Sequence, residues 1–196
     1  GQIRESVRTN FEIHGAAERR FRDEGMTPHS TPPHAGGNKR KERRVMTTVT
    51  VATVIGAPVA QVFAVFTDVE HGAERVTNIQ KIEMLTIGTL RLGSRWLETR
   101  AVLGRQDTVE MEVTAFEQNR TYTITHHKAG ARIDAVFTFD TVKDQTRVQI
   151  EFILESHGLP PGALAPVRWA MASTVRDVIG QDLEDLKTFI EQQPAL

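Results

Sequence analysis

Apolar and polar residues alternate along six consecutive stretches of the chain between residues 81 and 156. Because successive side chains of a strand point to opposite faces of a sheet, this alternation predicts strands with one dry face and one wet face. Only turn-sized gaps separate the strands, so neighbours are predicted to pair as an antiparallel meander. In the stretch 107–117, the predicted dry face consists of Val109, Met111, Val113 and Ala115.

A further strand and one or two short helices are predicted before this meander. Residues 47–55 alternate and are rich in Thr and Val, which favours a half-buried strand. The segment Gly56 to Pro58 ends that strand, and Pro58 suits the first position of a helix. Apolar residues then follow at helical spacing up to Thr67, and residues 68–76 are predicted to form a second short helix or a turn.

A long amphipathic helix is predicted after the last strand. Proline is tolerated only in the first turn of a helix, so this helix must begin by about Pro166. Its apolar stripe needs a partner, and the dry face of the sheet is the one large enough to cover it. The stripe recurs at steps of three and four residues and consists of Leu164, Met171, Val175, Val178, Ile179, Leu183, Leu186 and Ile190.

The composition limits the class of protein. The chain has 196 residues, of which 39% are hydrophobic and 25% are charged, which is enough for one sizeable core. Its apolar runs are far shorter than the roughly 18 to 20 residues that cross a bilayer, and no signal peptide is recognised. The lack of cysteine excludes disulfides and thiolate metal sites. We therefore expect one cytoplasmic globular unit without a membrane span.

Residues 1–45 differ in charge from the rest of the chain. They hold ten Lys or Arg against six Asp or Glu, whereas residues 46–196 hold fourteen against nineteen. Their few apolar residues cannot offset the entropy lost on ordering, so we predict a disordered basic tail or an upstream extension, with the folded domain at 46–196. The basic run Lys39 to Arg44 could contact nucleic acid or an anionic membrane, but it lacks aromatic residues, which is typical of a solvated arm, so no nucleic-acid partner is predicted.

The order of these elements and several local motifs resemble the START-like superfamily, also called SRPBCC, and in particular its polyketide cyclase/dehydrase and lipid-transport branch. The resemblance covers about residues 47–193 and does not include the tail. The matching segments are Gly56-Ala57-Pro58 with Val62-Phe63, Gly93 to Arg100, Glu110 to Thr114 before Arg120, Thr146-Arg147-Val148, and Leu183 to Glu191.

The resemblance implies the helix-grip fold, an α+β architecture. In it a seven-stranded curved antiparallel sheet wraps around a long C-terminal helix, with two short helices after the first strand. It implies an internal cavity that binds or transports a small hydrophobic ligand such as a lipid or a polyketide, without a cofactor. It leaves open an enzyme of the polyketide cyclase or aromatase type, and a protein-interaction module of the chaperone-activator or toxin-like type. We expect a monomer or a homodimer.

One predicted strand carries two charged residues beside a tryptophan. Trp96, Glu98 and Arg100 alternate, so their side chains share one face. If Trp96 marks the inner face, both charged groups lie in the cavity, where paired charges are tolerable and isolated ones are costly. The alternative is that Leu97 points inward and both charges contact solvent.

The next strand but one carries the sole tyrosine of the chain. Tyr122, Ile124 and His126 alternate along it, and the tyrosine makes theirs the expected inner face. A phenol and an imidazole in one pocket could bond a ligand carbonyl, and Tyr122, His126 or Glu98 could act as acid or base. The alternative for His126 is a structural histidine, and no residue is assigned as catalytic.

The remaining predicted ligand contacts are Met111, Phe137, Trp169 and Met171. Trp169 lies near the start of the long helix, where it serves either as a lid over the open end of the cavity or as a core residue.

No metal site is predicted. Asp68, Glu70, His71 and Glu74 resemble a ligand set only by their number, because they lack a second anchored histidine at a fixed spacing. They are therefore interpreted as a solvated helix face.

Overall fold

A computed structural model of the protein describes residues 44–102, 104–128, 130–157 and 165–193. Seven strands, three short helical segments and one long helix follow one another along the chain in the predicted order. The elements are β1 (Arg44–Ile55), α1 (Val59–Thr67), a 3₁₀ turn (Val69–His71), α2 (Gly72–Arg75), β2 (Ile79–Met84), β3 (Arg95–Val102), β4 (Arg105–Glu117), β5 (Thr121–Lys128), β6 (Ala131–Val142), β7 (Gln145–His157) and α3 (Ala165–Glu191).

The strands form one antiparallel sheet in the order β1-β7-β6-β5-β4-β3-β2. Strands β2 to β6 each pair with the next strand along the chain, and β1 pairs with β7 over its full length. Short turns join consecutive strands from β3 to β7, and Asn119 and Lys143 have positive φ angles of 59° and 56° at two of these turns. The predicted antiparallel meander and helix-grip fold are therefore confirmed.

A β-bulge in β4 corrects one prediction. Strand β4 pairs with β5 through Val113 and Ile124, and the register then shifts before Ala115. One extra residue turns the remaining side chains over, so Ala115 is exposed and Phe116 packs against the core. The prediction that Ala115 lies on the dry face was wrong because strict alternation assumes an unbroken ladder.

Helix α1 closes one end of the sheet with aromatic side chains. Phe63 makes edge-on contacts with Phe116, Tyr122 and Phe139 at ring-centroid distances of 5.7, 6.0 and 5.1 Å. Phe66 packs edge-on against Phe139 at 5.3 Å. Edge-to-face packing of this kind is favourable, so these rings form part of the hydrophobic core.

Helix α3 lies along β1, and its last residue is bonded to the turn after β1. The backbone N–H of Gly56 donates to Oε1 of Glu191 at 2.8 Å. In the same turn, the backbone carbonyl of Ala57 accepts a hydrogen bond from the hydroxyl of Thr146 in β7 at 2.8 Å. Leu183 and Ile190 of α3 are each 1% exposed in the core. Because α3 packs chiefly along β1, it leaves space over the middle of the sheet.

The boundaries differ from the predicted ones by a few residues. The strand predicted at 47–55 begins at Arg44, so the predicted domain boundary after residue 45 falls inside β1. The segment 68–76 contains both a 3₁₀ turn and the one-turn helix α2. Residues 1–43, with the predicted tail and most of the basic run Lys39 to Arg44, lie outside the described residues. Within the described ranges, no helix is both long and apolar enough to cross a membrane.

Candidate functional site

An open cavity of about 300 Å³ lies between α3 and the sheet. Most of its wall is apolar, and side chains from α1, α2, β2 to β7 and α3 contribute to it. On α3 the lining positions include Val175, Val178, Ile179 and Leu186, which are half-buried. One part of the predicted apolar stripe therefore faces the cavity, and another part, including Leu183, packs in the core.

Eight of the ten predicted site residues line this cavity: Trp96, Glu98, Arg100, Met111, Tyr122, Ile124, His126 and Phe137. The sheet register explains why they share a face. Trp96 pairs with Met111 across β3 and β4, and Tyr122 pairs with Phe137 across β5 and β6. Directly paired residues lie on the same face of a sheet. The side chains of the other two, Trp169 and Met171, lie outside the described residues.

The polar end of the cavity is built around Arg100. Its Nε donates to Oε1 of Glu98 at 2.5 Å, and its Nη1 donates to Oδ2 of Asp182 at 2.6 Å. The indole N–H of Trp96 donates to Oε2 of Glu98 at 3.2 Å, and the amide of Asn78 donates to Oδ1 of Asp182 at 3.5 Å. We call these five residues the Arg100 cluster. Glu98 and Asp182 are only 5% and 6% exposed, so their charges are held in a poorly solvated place.

Burial and ion pairing act in opposite directions on this cluster. Burial disfavours the charged guanidinium of Arg100, but the carboxylates of Glu98 and Asp182 outweigh it and hold the pKa of Arg100 above its ordinary value. For Asp182 burial dominates, and its pKa lies above its ordinary value although Arg100 opposes the shift. Arg100 thus keeps its positive charge, whereas the ion pair only partly compensates the carboxylate of Asp182 for its loss of hydration.

Asp182 was missed by the sequence reasoning. It lies four residues after Val178 and four before Leu186, inside the apolar stripe of α3. A charged residue at such a position needs a buried partner, and this was the signal available in the sequence. Its partner Arg100 is 82 residues away along the chain, so the pair itself could not be read from local pattern.

Tyr122 is held rigidly in the wall of the cavity. It is 2% exposed, and its hydroxyl donates to the backbone carbonyl of Phe66 at 3.3 Å. Its ring stacks on Phe137 with a centroid distance of 4.5 Å. Burial raises the pKa of Tyr122 above its ordinary value, and Glu98 adds to that shift. The phenol is therefore neutral, and its proton is already donated to Phe66.

His126 differs from Tyr122 in having an uncommitted polar group. Within the part of the chain that the structure describes, no hydrogen bond is made by its ring, and the residue is half-buried at the cavity wall. Burial lowers the pKa of His126, although Glu98 acts in the opposite direction. The imidazole is thus neutral near pH 7, and it can donate one hydrogen bond and accept another. The adjacent His127 is exposed.

The acidic segment after α1 is an ion-pair cluster. Asp68 accepts hydrogen bonds from His71 at 2.8 Å and from Arg75 at 2.5 Å, and Arg75 also lies 4.8 Å from the ring centroid of Phe189. Asp68 and Arg75 contribute to the cavity wall, whereas Glu70 and Glu74 are exposed. Among the described residues, no three His, Asp or Glu side chains are grouped as a metal site.

Solved structures share this fold at low sequence identity. The aromatase/cyclase ZhuI from Streptomyces sp. R1128 is 16% identical, with a TM-score of 0.62 over 76% of this chain and 95% of that chain. A START superfamily protein from Mycobacterium smegmatis is 15% identical, with a TM-score of 0.60 over 74% and 97%. Ara h 8.0201 is 14% identical, with a TM-score of 0.61 over 76% and 100%. These similarities show the START-like fold.

The comparison of the sequence with family models identifies a family, whereas the structural similarities identify only the fold. No curated protein matches the chain. The family described as polyketide cyclase / dehydrase and lipid transport matches residues 46–191, which include all of α3 and the whole sheet except the first two residues of β1. Because that match extends over most of the chain and coincides with the fold that surrounds the cavity, the protein belongs to the polyketide cyclase / dehydrase and lipid transport family.

Proposed function

We propose that this protein binds a small hydrophobic molecule, of the lipid or polyketide kind, in the cavity between α3 and the sheet, and carries it in the cell. One observation supports this above all. Apolar side chains of α3, among them Val175, Val178 and Leu186, line open space and do not complete the packing against the sheet. Covering such a surface with an apolar ligand favours binding by roughly 0.8 kcal/mol for each CH₂ group that is buried.

The dimensions of the cavity indicate the size of the ligand. A volume of about 300 Å³ corresponds to roughly ten water molecules at their volume in the liquid. It is at the lower end of the range of ligand pockets, which is about 300 to 1,000 Å³. A molecule with about ten non-hydrogen atoms would be enclosed, and a longer one would extend through the open side.

Displacement of a fluorescent probe tests this proposal. We expect 1-aminoanthracene to become fluorescent when it enters the cavity, and decanol to displace it. Ala135 lines the cavity between Ile124 and Phe152, so Ala135→Phe is expected to abolish probe binding by filling the space. The matched control is Val136→Phe on the opposite face of β6, which should bind the probe as the wild type does.

Equal binding by both variants would contradict the proposal, since the probe would then lie elsewhere. Mass spectrometry of the protein purified from cells gives an independent test. A hydrophobic small molecule released on denaturation is expected from the wild type and not from Ala135→Phe.

The uncommitted imidazole of His126 favours a second function in the same cavity, a cyclase or aromatase reaction on a polyketone. A neutral histidine with no protein hydrogen bond can accept a proton from an acidic carbon between two carbonyl groups. Tyr122 is a weaker candidate because its hydroxyl donates to Phe66. If this function holds, His126→Gln should lose turnover of a linear polyketone and still bind it. Equal turnover by wild type and variant, or none by either, would count against it.

A further inference from the structure

The polar end of the cavity has more negative than positive formal charge. Arg100 is the single guanidinium of the Arg100 cluster, and it is shared between the carboxylates of Glu98 and Asp182 at 2.5 and 2.6 Å. With all three ionised, the cluster has a net formal charge of −1. All three residues line the cavity, so a ligand inside it is exposed to this charge.

The other charged groups in the wall do not compensate for it. Asp68 is paired with Arg75 at 2.5 Å and also bonds His71. Asp107 is paired with Lys128. Each of these carboxylates therefore has its own cation, whereas Glu98 and Asp182 share one. The excess of negative charge in the described wall is located at the Arg100 cluster.

An anionic ligand would be poorly accepted at this place. Arg100 already donates through Nε and Nη1 to two carboxylates, so its charge is neutralised before any ligand arrives. A third carboxylate would lose its hydration and would be repelled by the cluster in a region of low dielectric constant. Arginine in an apolar cavity is often an anchor for anions, but here its two partners make that role unfavourable.

Hydrogen-bond acceptors remain available for a cationic ligand. Among the described residues, Oε2 of Glu98 accepts only the indole N–H of Trp96, at 3.2 Å. Within the same described part of the chain, Oδ1 of Asp182 accepts only a long contact of 3.5 Å from Asn78. A carboxylate oxygen has two lone pairs, so both oxygens can accept a further N–H donor from inside the cavity. The neutral ring of His126 provides another acceptor in the same wall.

From this arrangement we propose that the cavity selects amphiphiles whose polar end is a protonated amine, with the ammonium group between Glu98 and Asp182 and the apolar body under α3. Carboxylate amphiphiles of equal length are selected against. This inference rests on the proposed binding of a hydrophobic ligand and specifies the chemistry of its polar end. Burial raises the pKa of Asp182 because Arg100 only partly offsets the hydration that this carboxylate has lost, and a cation from the ligand would offset more of it.

The test compares three ligands with the same ten-carbon chain at pH 7.5. Decylamine, decanol and decanoate are each titrated against the full chain with bound 1-aminoanthracene, below their critical micelle concentrations. We expect decylamine to displace the probe at a concentration at least about tenfold lower than decanoate, with decanol between them. Asp182→Asn should reduce the ratio between amine and acid by about tenfold. Glu184→Gln, two residues along α3 and exposed, is the matched control and should leave the ratio unchanged.

The outcomes separate this inference from the proposed function. Displacement by decanol and decanoate at lower concentrations than by decylamine would overturn the amine selectivity and leave hydrophobic binding intact. If none of the three displaces the probe, or the probe does not bind, the proposed function itself fails. If Asp182→Asn does not fold by circular dichroism, Glu98→Gln replaces it with the same expected loss of preference. The order of the three ligands in the wild type decides the matter even if both variants are unstable.

Discussion

At the scale of single residues, the Arg100 cluster explains how a largely apolar cavity holds three ionisable groups. Arg100 is useful there only because Glu98 and Asp182 neutralise it, and each carboxylate is tolerated only because Arg100 is present. The sequence suggested Glu98 and Arg100 as a pair on one face of β3. It left open whether that face was inner or outer, because alternation alone cannot say which side of a strand is buried.

Removal of the guanidinium should expose this dependence. Arg100→Met is expected to lower the free energy of unfolding by about 3 to 5 kcal/mol, because two buried carboxylates lose their shared cation. Urea denaturation followed by circular dichroism measures the loss. The control is Arg95→Met on the outer face of the same strand, where Arg95 donates to Glu110 and both side chains are exposed. Little change is expected there, and equal losses in the two variants would contradict this account.

At the scale of the element, one face of α3 packs in the core and the neighbouring face lines the cavity. The face with Leu183 and Ile190 is fully buried, whereas the face with Val178 and Leu186 lines the cavity. Periodicity predicted the helix and its apolar stripe, since a 3.6-residue repeat is a property of the local sequence. It did not distinguish the packed positions from the lining positions, because both are apolar.

A leucine-to-alanine substitution on each face measures how much that face contributes to the free energy of unfolding. Leu183→Ala should cost about 2 to 5 kcal/mol of unfolding free energy, since it leaves a hole in close-packed core. Leu186→Ala should cost about 1 kcal/mol, because its side chain already faces open space and the change only enlarges that space. Thermal and urea denaturation of both variants provides the comparison. A loss at Leu186 as large as that at Leu183 would mean that the interior is solid.

At the scale of the whole molecule, stability should depend on pH through two histidines whose pKa values are shifted in opposite directions on folding. Burial lowers the pKa of His126, so the folded state resists its protonation. Its contribution to stability is complete above the unfolded pKa of about 6.5 and is lost as the pH falls towards the lowered value. Asp68 raises the pKa of His71, so that contribution is present below about 6.5 and is lost as the pH rises through the raised value.

Denaturation profiles between pH 5 and 8 should separate the two. His126→Gln is expected to flatten the decline of stability on the acid side, whereas His71→Gln should lower stability mainly at acid pH. Identical pH profiles for the two variants and the wild type would show that neither ring is coupled to folding.

The sequence by itself determined the order of strands and helices, the antiparallel pairing and the family, because each follows from local periodicity, short turns and motifs such as Gly56-Ala57-Pro58. Three features were decided only by the tertiary structure. They are the bulge that turns Phe116 instead of Ala115 towards the core, the ion pair of Arg100 with Asp182, and the hydrogen bond from the Tyr122 hydroxyl to the carbonyl of Phe66. Each depends on how distant segments are placed against one another. A short-range pattern specifies which residues share a face, but the space left between two faces is set by the register of the strands and the position at which α3 rests on the sheet.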